Sequence, residues 1–317
     1  MRMRITVVGC GRWGSFLAWY VDRLGHQTRL FGREGSAHML AFRETRTNGL
    51  ITLPPSVELV GDLAAPSDAI LISIDSQGLR RMLTQNAQAF RGVPLVLCMK
   101  GLEIGTGKRL TEVVADVLGP EQPVAVWIGP GHVQEFTRGV PNCMVIDSAD
   151  EALKAELVDA FSGDLIRFYY GRDLIGNEIG AAAKNVVGIA AGALDGVGLG
   201  TLKGALMSRG TREVARLIAA MGGNELSAYG LCHLGDYEAT VFSPYSHNRR
   251  FGECVVTGQP YTELAEGYFT VKALLDLEAK TGVELPISRA VYQVLYEGVP
   301  ARETVDGLFR RTQKMEF

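Results

Sequence analysis

Ile5-Thr6-Val7-Val8-Gly9-Cys10-Gly11-Arg12-Trp13-Gly14 decides the reading of this chain. The first four residues make an apolar strand, and Gly14 to Leu24 reads as the helix that follows. Between them stands G-x-G-x-x-G. One glycine makes the tight turn, one lets backbone reach a pyrophosphate, and one permits close helix–strand packing. The helix start then offers N–H groups and a positive dipole end to phosphates. With a strand before it and a helix after it, the motif predicts a dinucleotide site. A glycine-rich turn that holds no ligand is the alternative.

Cofactor choice is read at the end of the second strand, Thr28–Phe31, where NAD sites usually place an acid on the ribose hydroxyls. Here the chain continues Gly32-Arg33-Glu34. The acid comes late and a guanidinium precedes it. Arg33 is expected to pair with a 2′-phosphate, favouring NADPH over NADH.

Further strands are expected at Ala69–Ile74, Leu95–Cys98, Val124–Ile128 and Cys143–Ile146, with helices at Leu79–Phe90 and Leu110–Leu118. Strand alternating with helix implies an α/β, Rossmann-type, doubly wound and mostly parallel sheet. After about Arg172 long helical patterns take over, at Asn177–Leu194, Leu202–Met221 and Tyr268–Thr281. The boundary is expected near Gly171–Asp173, dividing a dinucleotide-binding domain (1–172) from an all-helical substrate and catalytic domain (173–317).

The 317 residues suit about two domains. Hydrophobic residues are 47% and charged residues 21%, which excludes wholesale disorder. A net charge of -3, from 32 Lys+Arg against 35 Asp+Glu, gives no electrostatic footprint for nucleic acid. No run of apolar residues has the length of a membrane span. No secretory leader is expected, because the chain enters its first strand at once. Cys10, Cys98, Cys143, Cys232 and Cys254 are scattered and odd in number, which reads as reduced thiols in a cytoplasmic protein. No His/Cys/Asp/Glu spacing argues for a metal. His26, in a Gly-His turn, and His38 are expected at the surface, and His233 is expected to be structural. Arg310-Arg311 reads as a solvated helix face.

Glycine is the compositional outlier, at 38 residues. Gly176, Gly180, Gly188, Gly192, Gly196, Gly200 and Gly204 share a spacing of four, and Lys184 fills the one gap in the row. Residues four apart share a helix face. Each interior glycine costs a helix roughly 0.5–1 kcal/mol relative to alanine, so something must approach this backbone closely. Tight helix packing is one answer. Lys184 points to chemistry, because its neighbours Ala181–Ala183 and Val186-Val187 leave no solvated face, and a buried lysine serves readily as an acid–base group. A structural ion pair is the other reading.

The motifs now fall into one order: GCGRWG at 9–14, MKG at Met99–Gly101, IGP at Ile128–Pro130, GAAAKNVVGIAAGALDGVGLG, LGD at Leu234–Asp236, SHNRRFG at Ser246–Gly252, AEGY at Ala265–Tyr268 and GVELPISRAVYQVLYEG at Gly282–Gly298. Together they resemble bacterial NAD(P)H-dependent glycerol-3-phosphate dehydrogenase over nearly the whole chain. The resemblance implies reduction of dihydroxyacetone phosphate to sn-glycerol 3-phosphate, a glycerophospholipid precursor, by a homodimer. It implies Lys184 as proton donor, Lys100 as the second active-site lysine, and Asp236 as the acidic partner that orients Lys184 or binds a substrate hydroxyl. Substrate would lie on Lys100, Gly129, Gly131, Lys184 and Asp236, with its phosphate on Ser246, His247 and Asn248. Cofactor would meet Gly9, Gly11, Arg12, Trp13, Gly14, Arg33, Lys100, Val133, Leu264 and Glu266.

Three departures cluster at substrate-facing motifs. The family's S-R-N is Ser246-His247-Asn248 here, and G-P-[ST]-F-A is Gly129-Pro130-Gly131-His132-Val133. Asp75 stands where proline is usual. Arginine is a fixed fork, whereas histidine donates in a pH-dependent way. Arg249 and Arg250 are the nearest charges to compensate. A pocket for another small phosphorylated or carboxylated ketone is therefore expected as an alternative. A β-hydroxyacid dehydrogenase of the 6-phosphogluconate type is the rival enzyme, but it usually carries asparagine four residues after the lysine, where this chain has Gly188. A nucleotide sensor without turnover is the reading from another class.

Overall fold

The computed structural model describes residues 2–313 and 315–316. Its chain divides into two compact units, one of residues 1–100 and 108–178 and the other of 101–107 and 179–317.

The first unit is built on one eight-stranded sheet: β1 (Arg4–Val8), β2 (Gln27–Phe31), β3 (Glu58–Val60), β4 (Ala69–Ile72), β5 (Leu95–Leu97), β6 (Val124–Ile128), β7 (Asn142–Asp147) and β8 (Ile166–Tyr170). The order is β3-β2-β1-β4-β5-β6-β7-β8. Every pairing is parallel except β6 with β7. Its strands are apolar runs because both faces are covered; β4 and β5 are buried throughout. Covering helices are α1 (Arg12–Arg23), α2 (Ala37–Thr45), α3 (Leu79–Gln85), α4 (Ala87–Phe90), α5 (Leu110–Leu118), α6 (Val133–Phe136) and α7 (Glu151–Phe161). Strand order reverses at β1, which lies between β2 and β4, and in such sheets ligands bind at the carboxyl end of that reversal.

Three local expectations need correction. Leu79–Phe90 is not one helix, because Asn86 leaves helical geometry at φ -123 and its side-chain amide takes the carbonyl of Met82. The strand at Ala69 ends at Ile72, two residues early. His26 is buried, not exposed: the N–H of Met3 donates to Nδ1, so Nε2 carries the proton and donates to Ala160 O at 2.9 Å. Gly25, at φ +90, folds the chain so that the ring tucks inside, edge-on to Phe161. Also, β3, β8 and α7 were not anticipated. His38 is exposed in α2.

The helical unit contains most of α8 (Leu174–Gly196), then α9 (Lys203–Ala220), α10 (His247–Thr257), α11 (Glu266–Thr281), α12 (Pro286–Tyr292) and α13 (Ala301–Phe309). The glycine row is only partly one helix face, since α8 ends at Gly196 and Gly200 and Gly204 lie beyond it. What approaches the row is α10 and the segment before it. A Cβ on Gly192 would stand 1.8 Å from Arg249 O, and one on Gly252 would stand 2.1 Å from Ile189 O. The two backbones therefore touch, which only glycine permits. Among the described residues no helix is long and apolar enough to cross a membrane, and no His/Cys/Asp/Glu cluster can hold a metal. All five cysteines are free thiols.

Candidate active site

In the sheet unit the loop between β1 and α1 assigns its glycines distinct tasks. Gly9 has φ +112, and a Cβ there would strike Ser73 O at 2.1 Å. A Cβ on Gly14 would strike Gly9 O at 1.8 Å. Gly11 is the opposite case: nothing lies within 4 Å of its Cβ position. It is the N-cap of α1, and no side chain caps that helix. Gly9 and Gly14 thus fold the loop, while Gly11 and the N–H groups of α1 present it to an anion. Arg12 opens α1, and Arg33 is exposed just beyond β2. Trp13 packs on Phe16 and Phe136, with ring centroids 5.0 and 6.2 Å apart, so its indole anchors the loop to α6. This donor set fits a dinucleotide pyrophosphate.

At the exits of β5 and β6, Lys100 Nζ donates to Gly129 O at 2.7 Å. Gly129 and Gly131 have φ +136 and +148, a region closed to other residues without strain. A Cβ on Gly131 would also lie 2.4 Å from the Phe136 ring. Backbone and ring together therefore call for glycine at position 131. Val133 is buried at the start of α6.

In the helical unit Lys184 lies near the middle of α8, where it is 8% exposed. Its Nζ pairs with Asp236 Oδ2 at 2.8 Å and donates to Thr240 Oγ1 at 2.8 Å. Asp236 is 1% exposed and sits on a 3₁₀ turn, Leu234–Asp236. Thr240 lies in the π-helical turn Glu238–Phe242 that follows. The sequence reading missed Thr240; its place four residues after Asp236 was the available signal. Charge on the ammonium is held by a carboxylate and a hydroxyl, and burial keeps water from competing, which is how a lysine is kept as a directed proton donor.

Ser246 is the N-cap of α10, and its Oγ accepts from the Arg249 N–H at 3.3 Å. His247 opens the helix with Nδ1 2.7 Å from the Tyr261 hydroxyl. Asn248 ties three elements: its amide donates to Asn185 Oδ1 at 3.1 Å, and its oxygen accepts from the Gly267 N–H at 2.9 Å. Asn185 was also missed, although it adjoins Lys184. Glu266 begins α11 and Leu264 is exposed just before it. Arg249 is engaged elsewhere, on Asp195 at 2.8 Å, and Arg250 lies over the Tyr261 ring at 5.8 Å. Lys184, Asp236, Ser246, His247 and Asn248 thus share the helical unit, while Lys100, Gly129, Gly131 and the nucleotide loop share the sheet unit.

Known proteins carry the same two parts. Residues 4–154 match the family model for the NAD-dependent glycerol-3-phosphate dehydrogenase N-terminus, and 173–306 match its C-terminus. A glycerol-3-phosphate dehydrogenase [NAD(P)+] from Pelodictyon phaeoclathratiforme is 35% identical over 99% of both chains. One from Thiobacillus denitrificans is 37% identical over 99% of this chain and all of its own. The crystal structure of glycerol-3-phosphate dehydrogenase from Coxiella burnetii superposes with a TM-score of 0.91 at 28% identity, covering 98% of this chain and 99% of its own. A nucleotide loop at the turning point of the sheet, a buried lysine–aspartate pair in the helices, and matches that run the length of both parts lead to one assignment: the chain belongs to the NAD-dependent glycerol-3-phosphate dehydrogenase family.

Proposed function

We propose that this protein reduces dihydroxyacetone phosphate to sn-glycerol 3-phosphate with NAD(P)H, and that Lys184 donates the proton. The buried Lys184–Asp236–Thr240 arrangement carries the reading. Reduced nicotinamide, when bound, supplies the hydride for the carbonyl carbon. Negative charge then grows on the carbonyl oxygen, and the Lys184 ammonium neutralises it by giving up a proton. Asp236 orients that ammonium, and Lys100 adds positive charge. Ser246 keeps its own hydroxyl proton to donate, and with His247 and Asn248 it receives the phosphate. Gly129 and Gly131 offer backbone to the substrate. Gly9, Gly11, Arg12, Trp13, Gly14, Arg33, Val133, Leu264 and Glu266 receive the cofactor. Residues 1–172 serve as the dinucleotide-binding domain and 173–317 as the substrate and catalytic domain, in a cytoplasmic homodimer. Oxidation of NADPH on adding dihydroxyacetone phosphate, followed at 340 nm, tests the reading; no turnover overturns it.

NADPH is the preferred cofactor in this reading, because Arg33 is exposed where a 2′-phosphate is read and no acid precedes it. The Arg33→Ala variant is expected to raise KM for NADPH about tenfold, the value of one charge-assisted contact, with KM for NADH unchanged. An equal rise for both cofactors counts against the assignment.

A second reading, another small phosphorylated or carboxylated ketone, rests on His247 in the arginine position and on glycine, without a hydroxyl, at position 131. It predicts that a ketone panel contains a substrate with higher kcat/KM than dihydroxyacetone phosphate.

A further inference from the structure

His233 is fully buried, and both ring nitrogens are used. Its Nδ1 is 2.8 Å from Gly180 O, and its Nε2 is 2.7 Å from the Tyr237 hydroxyl. A carbonyl only accepts, so Nδ1 carries the proton. In a neutral ring Nε2 then accepts, and the Tyr237 hydroxyl donates to it. Gly180 lies one turn before Lys184 on α8, on the same face. A Cβ on Gly180 would stand 3.1 Å from the His233 Cβ, so the absence of a side chain there is what lets the histidine seat. On the other side, His233 immediately precedes the turn Leu234–Asp236. One ring therefore joins the helix that carries Lys184 to the segment that carries both of its partners, Asp236 and Thr240.

That segment needs a tether. A three-residue 3₁₀ turn followed by a π-helical turn has poorer hydrogen-bond geometry than an α-helix. Tyr237 supplies the other anchor, since its ring belongs to the apolar cluster of Val187, Leu206 and Val241. The groups facing the pair are Lys184 on α8, Asp236 beside it, and Thr211 and Glu213 on α9. A cationic imidazole here would repel Lys184. Burial, with the Lys184 charge acting in the same direction, pushes the His233 imidazole down to about 4, so the ring stays neutral across the working range.

We infer that His233, with Tyr237, is a positioning residue for the proposed proton transfer: a neutral clamp that sets Asp236 and Thr240 against the Lys184 ammonium. This rests on the proposed role of Lys184, so its test reads the lysine directly as well as through turnover. In protein carrying ¹³C-labelled lysine, the Lys184 Cε titration is followed by NMR in wild type, His233→Leu, His233→Asn and Tyr237→Phe. Loosening the carboxylate makes the buried ammonium less stable, so His233→Leu is expected to move the Lys184 midpoint down by about one pH unit. The alkaline limb of kcat in the reductive direction follows it, and kcat at pH 8 falls about tenfold. KM for NADPH stays within about twofold of wild type, because the cofactor set is untouched. Asparagine places an amide N–H where Nδ1 stands and is expected to restore most of both readouts. Tyr237→Phe keeps the core ring and is expected to shift both in the same direction, and it answers the question should His233→Leu fail to fold. A Lys184 midpoint unchanged in the folded variants overturns the clamp, whatever the activity. Absence of wild-type turnover overturns only the proposed function.

Discussion

Lys184→Ala lowers kcat for ketone reduction by about 10³-fold, the middle of the range for a lost general acid. Affinity for NADPH, read by quenching of tryptophan fluorescence, stays within about threefold of wild type, since the glycines and arginines of the β1–α1 loop are unchanged. The variant also leaves Asp236, 1% exposed, without its cation. Removing one partner of a buried pair costs about 3–5 kcal/mol, so melting temperature should fall as well. Lys184→Ala/Asp236→Asn removes both charges and should recover much of that stability without recovering turnover. Added methylamine fits the space left by the ammonium and should restore part of the kcat of Lys184→Ala. Turnover within tenfold of wild type would place the proton donor elsewhere.

The second large effect belongs to the glycine row. Gly192→Val is expected to destabilise the protein by about 3 kcal/mol or more, at the upper end for overpacking. A Cβ there would sit 1.8 Å from Arg249 O, and backbone cannot rotate away as a side chain can. α10 must then lift from α8, taking with it the Asn248–Asn185 hydrogen bond of 3.1 Å. Denaturant titration measures the loss, and KM for the phosphorylated substrate should rise in protein that still folds. Gly204→Ala is the matched control. It shares the spacing of the row, but nothing lies within 4 Å of its Cβ position and it occupies the first turn of α9. It should be neutral or stabilise by about 0.5–1 kcal/mol. Equal destabilisation by both substitutions would show that the row acts through helix propensity and not through contact.

The two results divide the glycines in a way that spacing alone does not. From the sequence, Gly200 and Gly204 look like members of the same face as Gly192, since a period of four does not reveal where a helix stops. The stop comes just past Gly196, where Gly198 at φ +75 turns the chain and the Leu199 N–H closes back on Leu194 O at 2.8 Å. Arg249 shows the same limit. Its place in the Ser246–Gly252 motif made it a candidate for the phosphate, yet its guanidinium is on Asp195, 54 residues away along the chain. His26 shows it again, for a Gly-His turn has a surface composition but its ring is drawn in by the Met3 N–H and the Ala160 carbonyl.

Local chemistry was legible in the residue order. The strand–glycine–helix start, the parallel sheet and the change to helices each follow from interactions within a few residues: apolar periodicity, φ freedom at glycine and hydrogen bonds along one element. Lys184 stood out by the same logic, as a charge in an apolar, side-chain-poor stretch. Its partners were a matter for the folded chain. The contact of Lys184 with Asp236 and Thr240, the clamp of His233 on Gly180 and the crossing of α8 with α10 join residues about 50 or more positions apart, and only burial of a shared surface decides which of the many possible pairs meet.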